Sequence, residues 1–217
     1  MSGPATTPSK DPYLMPSLSL GNRAARALWA VACLLLVRFS PRPCHAWRAA
    51  VFRMFGARLG PNCHIYPRAR IWAPWNLVCE DAVGIADGVV VYNPAPTHLG
   101  SHCVVSQDAY LCGATHDIDD PAFPMVSAPI TIGPYAWICA RAVVCSGVNV
   151  GEGAVLGLAG VATQPLGQLV ALLQPALEHK APAGLVPAGL MLHKAWVCTK
   201  LRATVPCVSS ARLNTRF

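Results

Sequence analysis

Negative charge is nearly missing from the first third of this sequence. Between Pro12 and Cys79 there is no aspartate or glutamate, and every charged side chain other than histidine is an arginine. Charge is sparse throughout, at 12% of residues against 53% hydrophobic, which excludes a disordered chain. The ten cysteines contain no CxxC pair, so they show neither zinc-ribbon nor redox-motif spacing. A chain of 217 residues can bury its own core without disulfide staples. The cysteines therefore read as reduced, small hydrophobes of a cytoplasmic protein. Long apolar runs are also lacking: Ala27 to Val37, bounded by Arg26 and Arg38, is the longest. That falls short of the roughly 20 residues of a membrane span and suits a buried or interfacial helix. It starts too late, and lacks the cleavage pattern, for a secretory leader. No aromatic-and-glycine motif of an RNA-binding module is present, which argues against a nucleic-acid partner. The basic first third suggests another anionic partner, a membrane surface or a phosphate, or simply a solvated surface.

What is present is punctuation and rhythm. Twenty prolines and 17 glycines argue for many turns. Residues 1–20 read as a loose tail and residues 21–58 as a helical cap: one helix over 21–38, a break at Ser40-Pro41-Arg42-Pro43, and a second from His45 to Phe55. Trp47, Val51, Phe52 and Phe55 form its apolar side, with Arg48 and Arg53 on the polar face.

From Leu59 the period becomes six. Aliphatic residues stand at Leu59, Ile65, Ile71, Leu77, Val83 and Val89, then at Leu99, Val105 and Leu111, then at Ile132, Ile138, Val144, Val150 and Leu156. Four places after them, small residues dominate: Cys103, Ala109, Thr115, Ala136, Ala142, Ala154 and Gly160, with Cys63 in the first coil. Neither a helix (3.6) nor an ordinary strand (2.0) has this period. A hexad is one short strand plus one turn, and three hexads make a triangular coil whose stacking buries a column of aliphatic side chains. The fold expected is an all-β, left-handed parallel β-helix over residues 59–163, with a protruding loop at 117–131 and a separate C-terminal extension at 164–217.

These hexads resemble those of the hexapeptide-repeat acyltransferases. More narrowly, four segments are similar to the colanic-acid-biosynthesis (WcaF-type) acetyltransferases. They are Ser40-Pro41-Arg42-Pro43 with His45-Ala46-Trp47-Arg48; Ile65-Tyr66-Pro67 with Ile71-Trp72-Ala73-Pro74-Trp75-Asn76-Leu77; Ser106-Gln107 with Ala109 to Cys112 and Thr115-His116-Asp117; and Ala128-Pro129-Ile130 with Ile132-Gly133 and Trp137-Ile138. The resemblance implies transfer of an acetyl group from acetyl-CoA to a sugar hydroxyl of an exopolysaccharide or related saccharide, free or lipid-linked, by a homotrimer with sites between neighbours. It makes His116 the general base, and a histidine suits proton removal from an alcohol near neutral pH. Asp117, Asp119 or Asp120 could hold its other ring nitrogen. The same resemblance points to Ala140 for the oxyanion donor, to Trp137, Leu158, Ala159 and Thr163 for the CoA groove, and to Asn93 and Gln107 for the acceptor. No metal is expected. After Thr163 the family's proline pair and Gly-Asn-Pro-Ala segment are replaced by Gln164-Pro165-Leu166-Gly167. Two other functions stay open: an inactive structural or binding solenoid lacking a complete CoA site, and a γ-type carbonic-anhydrase-like hydratase using His98 and His102 with His64 or His116. The basic segment could also bring the enzyme to a membrane surface.

Overall fold

The structure, a computed structural model, describes residues 19–120, 123–167 and 171–172. Residues 1–18 of the expected tail and most of the extension over 164–217 lie outside the described residues, and the tail's last two residues already belong to the first helix as its cap and first turn. The remainder forms the parallel β-solenoid that the hexads predict. Its first face stacks β1 (Arg58–Leu59), β4 (Leu77–Cys79), β7 (Thr97–Leu99), β12 (Ile130–Ile132) and β15 (Asn149–Val150). The second stacks β2 (His64–Ile65), β5 (Gly84–Ile85), β8 (Val104–Val105), β13 (Trp137–Ile138), β16 (Val155–Leu156) and β18 (Ala171–Leu172). The third stacks β3 (Arg70–Ile71), β6 (Val90–Tyr92), β9 (Tyr110–Cys112), β14 (Val143–Val144) and β17 (Val161–Ala162).

The register corrects the sequence reading in the second coil. On the first face Leu59 pairs with Cys79, and Cys79 with Leu99, so the inner column runs through Cys79, Ile85 and Val91. Leu77, Val83 and Val89 occupy the position two residues earlier, where other coils carry Cys63, Ala109, Ala136 or Ala142; all are buried. Residues two apart on a strand point the same way, so a coil with aliphatics at both positions reads equally well in either phase. The phase shifts at the extra turn Pro74–Asn76. The solenoid also continues beyond the expected boundary at 163. Leu166 bridges to Val150, and Ala171–Leu172 adds a strand to the second face, keeping the six-residue interval from Leu166 to Leu172.

Close stacking leaves little room at the corners. A Cβ on Gly133 would lie 2.7 Å from the Glu152 nitrogen and 2.8 Å from the Gly151 carbonyl carbon, so glycine is required there for backbone approach rather than for a special φ. Elsewhere the corners turn through left-handed residues, among them His102, Asp108, Tyr135, Arg141 and Ala159.

The cap consists of α1 (Leu20–Ala32), which continues as a π-helical turn through Cys33–Val37, and α2 (His45–Met54). Ser19 caps α1 by accepting from the Asn22 N–H. Trp29 is buried against Phe52 and Phe55 and donates its indole N–H to the Ile71 carbonyl at 2.8 Å. Arg48 departs from its expected place on the polar face of α2 and is fully buried. Its Nε donates to the Ile65 carbonyl (2.6 Å), Nη1 to the Pro41 carbonyl (2.6 Å) and Ser40 Oγ (3.0 Å), and Nη2 to the Arg42 carbonyl and His45 Nδ1. A rigid five-donor fork can clip the Ser40–Arg42 turn and the first coil together, which a periodicity argument does not register. Arg42 in turn pairs with Asp87.

Three substitutions test this packing by urea unfolding. Ile138→Ala should cost about 2–5 kcal/mol, Gly133→Ala about 1–3 kcal/mol by forcing coils apart, and the exposed Val161→Ala less than about 0.5 kcal/mol. The cap should also be acid-sensitive. Burial first, then the charges of Arg48 and His64, hold the His45 imidazole below its usual pKa. Its contribution to stability is complete above the unfolded value near 6.5 and is lost as pH falls through the lower folded value. The melting temperature should therefore drop as pH falls from about 7 to about 5, and drop less in His45→Gln.

Candidate active site

On the third face β9 ends in Cys112, and Gly113 turns the chain against the coil below, where a Cβ would lie 2.6 Å from the Tyr92 carbonyl oxygen. The chain then leaves the solenoid as an antiparallel arm, β10 (Ala114–His116) paired with β11 (Met125–Ser127), before returning to the first face at Ile130. The loop expected over 117–131 is thus the outer part of a hairpin that starts at Ala114. Ser146 pins both legs: its Oγ accepts from the Ala128 N–H at 2.9 Å and lies 3.2 Å from the Gly113 carbonyl. Tyr92 braces the arm from the third face, its hydroxyl 3.5 Å from the Met125 sulfur, and Met125 pairs with His116.

His116 is exposed on this arm. Its ring stacks on Phe123 with centroids 4.5 Å apart and planes 7° apart, and its Nδ1 lies 2.9 Å from the Phe123 carbonyl oxygen. A carbonyl only accepts, so Nδ1 carries the hydrogen and the lone pair of the neutral ring is on Nε2. The acceptor is therefore a main-chain oxygen seven residues on, which no side-chain pattern identifies. Asp117 is turned elsewhere: its Oδ1 accepts from the Asp119 N–H at 3.0 Å, and its own N–H donates to the Pro124 carbonyl.

The residues expected to hold CoA lie mostly on another edge. Gln107, Ala140 and Ala159 follow one another up the corner between the second and third faces: the Arg141 N–H donates to the Gln107 carbonyl, and the Ala159 N–H to the Ala140 carbonyl. Leu158, half exposed, stands beside Ala159 on that edge. Trp137 begins β13 and donates its indole N–H to Ser106 Oγ at 2.8 Å, which fixes the ring on the second face. Thr163 is exposed after the third face, on the arm's side of the coil. Within one chain the structure therefore brings Gln107, Trp137, Ala140, Leu158 and Ala159 towards one edge, and His116 and Thr163 towards the next.

Asn93 does not fit the acceptor contact expected of it. It is fully buried; its Oδ1 accepts from the Ala73 N–H at 2.9 Å and its Nδ2 donates to the Ala73 carbonyl at 2.8 Å. An amide can match both polar groups of one peptide in this way, so Asn93 fastens two coils below the arm. His98 and His102 diverge. His98 Nε2 lies 3.4 Å from Glu80, whereas His102 stacks on Tyr135. Among the described residues no three of histidine, cysteine, aspartate and glutamate are grouped to hold a metal ion, and no disulfide joins the cysteines there. Sequence reasoning missed Phe123, Ser146 and Tyr92. Only Ser146 left a signal, as a hydroxyl at the corner to which the arm returns.

No family model matches the chain. Among curated proteins it is similar to the colanic acid biosynthesis acetyltransferase WcaF of Escherichia coli, with 35% identity over 137 residues, which span 63% of this chain and 75% of that protein. The corresponding protein of Shigella flexneri matches to the same extent. Among solved structures, a hexapeptide-repeat acetyltransferase of Vibrio cholerae complexed with acetyl-CoA superposes with a TM-score of 0.63 at 23% identity, over 71% of this chain and 84% of that one. A galactoside acetyltransferase in complex with coenzyme A gives 0.59 at 18% identity, over 71% and 78%. The solved structures establish the shared solenoid, and the kinship to WcaF establishes the rest: this chain belongs to the WcaF-type acetyltransferases of the hexapeptide-repeat family.

Proposed function

We propose that this acetyltransferase moves the acetyl group of acetyl-CoA directly to a hydroxyl of a saccharide, with His116 as general base. The observation that carries this reading is the His116 tautomer. An exposed imidazole whose Nδ1–H is committed to the Phe123 carbonyl presents Nε2 as a proton acceptor. As the sugar oxygen attacks the thioester carbonyl, Nε2 takes the hydroxyl proton. The tetrahedral oxyanion is met by a backbone N–H near Ala140, and its collapse breaks the C–S bond. The departing CoA thiolate recovers the proton from the imidazolium, so no covalent enzyme intermediate forms. Trp137, Leu158, Ala159 and Thr163 line the donor groove, and Gln107, exposed at the same corner, is placed to meet donor or acceptor.

The division of these residues between two edges supports a homotrimer. His116 of one protomer then faces the Ala140 edge of its neighbour, and each site is completed in trans. A saccharide acceptor follows from what the WcaF relative's name says it serves, colanic acid biosynthesis.

His116→Ala should lower kcat by about 10²–10⁴ without changing the circular dichroism spectrum or the melting temperature. Asp117→Asn should cost less than about tenfold, because its carboxylate holds the arm's own turn; a loss as large as that of His116→Ala would restore Asp117 as the orienting group. Isothermal titration with acetyl-CoA should give saturable heat. A folded protein that releases none is a binding scaffold and not an enzyme.

A further inference from the structure

The cap helix is apolar on the wrong side. Trp29, Cys33 and Val37 face the solenoid, yet the opposite side carries Leu28, Val31 and Leu35 at 64%, 56% and 69% exposure, with Phe39 at 79% just beyond. The stretch Leu20–Val37 meets the length and composition of a membrane-crossing helix, but Trp29 holds it to the first coil along its flank. A helix tied down on one side and apolar on the other suits the plane of a bilayer surface rather than its interior.

The edge of that helix is positively charged. Between it and the first coil runs a groove of about 410 Å³, lined by Trp29, Leu34 and Trp72 and by three arginines, Arg26, Arg38 and Arg70. The Arg26 guanidinium lies 4.3 Å above the centre of the Trp72 ring, and its buried Nε has no hydrogen-bond partner among the described residues. The outer nitrogens of this guanidinium, with Arg38 and Arg70 lining the same groove, offer a phosphate several charge-assisted donors. With no carboxylate between Pro12 and Cys79, nothing nearby in sequence neutralises these charges.

We propose that α1 and its π turn lie in the surface of an anionic bilayer, with Leu28, Val31, Leu35 and Phe39 among the acyl chains and a lipid phosphate seated between Arg26, Arg38 and Arg70. The groove and the arm share a face: Trp72 meets Tyr92 edge-on at 5.3 Å, and Tyr92 reaches Met125 opposite His116. Two coil spacings of about 4.8 Å separate Trp72 from the foot of the arm. The bilayer therefore lies on the His116 side of the protomer, and an acceptor carried on a membrane lipid can reach it. Lipid binding itself does not depend on the acetyl-transfer reading.

Flotation of the full-length protein with vesicles tests this. Vesicles of phosphatidylcholine with about one-third phosphatidylglycerol should carry the wild type up the gradient, and phosphatidylcholine alone should carry much less. Arg26→Gln with Arg38→Gln and Arg70→Gln should weaken partition by about 100-fold. Leu35→Asp, at an exposed position that cannot disturb the core, should weaken it independently. Circular dichroism and melting of each variant confirm folding. Equal binding to both vesicle types that survives alkaline carbonate would mean a spanning helix and overturn the proposal. So would absence of binding while Leu35→Asp dissociates an oligomer on size-exclusion light scattering, since the face would then be covered by protein. A third contrary result is stabilisation by inorganic phosphate that needs Arg26 in a protein that does not float, which would assign the groove to a soluble phosphate.

Discussion

The inside of a three-sided coil has room on each wall for one branched aliphatic side chain and, two residues before it, for a small one. Ile65, Ile71, Leu99, Val105, Leu111, Ile132, Ile138 and Val144 fill the first position, and alanines and cysteines commonly fill the second. Every other feature depends on that geometry. Parallel stacking satisfies the backbone of each strand through the coil above and below, so chain can leave only at a corner. The arm leaves at such a corner after Gly113 and returns before Ile130, held by Ser146 and Asn93-braced coils beneath it. The arm that carries His116 is thus a hairpin whose feet are fixed by the most regular part of the molecule.

That regularity explains what could be read in advance. The period of six requires nothing but side-chain types at fixed intervals, and it identified the solenoid, its extent to Leu156 and the position of the excursion. Phase was legible only where the two inner positions differ in size, as at Cys103 and Val105. In the second coil Leu77 and Cys79 exchange the usual sizes and Val83 and Ile85 are both aliphatic, so the pattern slid by two residues. Past Thr163 the beat passes through Leu166 and Leu172 with a shortened coil, too brief to stand out in sequence.

The site was legible where a residue type declares its chemistry and illegible where the backbone performs the task. His116 is an imidazole at the mouth of an interruption, and that position together with the resemblance made it the candidate base. Its tautomer is set by the Phe123 carbonyl, which any residue would supply. Asn93 and Arg48 misled in the opposite direction, since polar side chains imply surface or substrate until their partners are seen. Both are buried and match main-chain groups: Asn93 both polar groups of Ala73, Arg48 the carbonyls of Pro41, Arg42 and Ile65. Several segments that tie the chain to its relatives are accordingly structural. The Ser40–Pro43 turn is what Arg48 clips, and Asn76 donates to the carbonyls of Asn93 and Pro94.

The cap and the arm are connected through Arg26, Trp72, Tyr92 and Met125 along the third face, while the donor edge lies one corner away. On the function proposed above, the base and most of the donor groove stand on separate edges of one chain, and two neighbours would together build one site. Mixed oligomers measure this directly. His116→Ala removes the base and Ala140→Trp blocks the donor edge, and each homo-oligomer should be inactive. Co-assembled in equal amounts, they should regain about one quarter of wild-type activity, because one interface in four then pairs an intact base with an intact groove. Mixed oligomers as silent as their parents would place base and groove in the same chain and contradict the account.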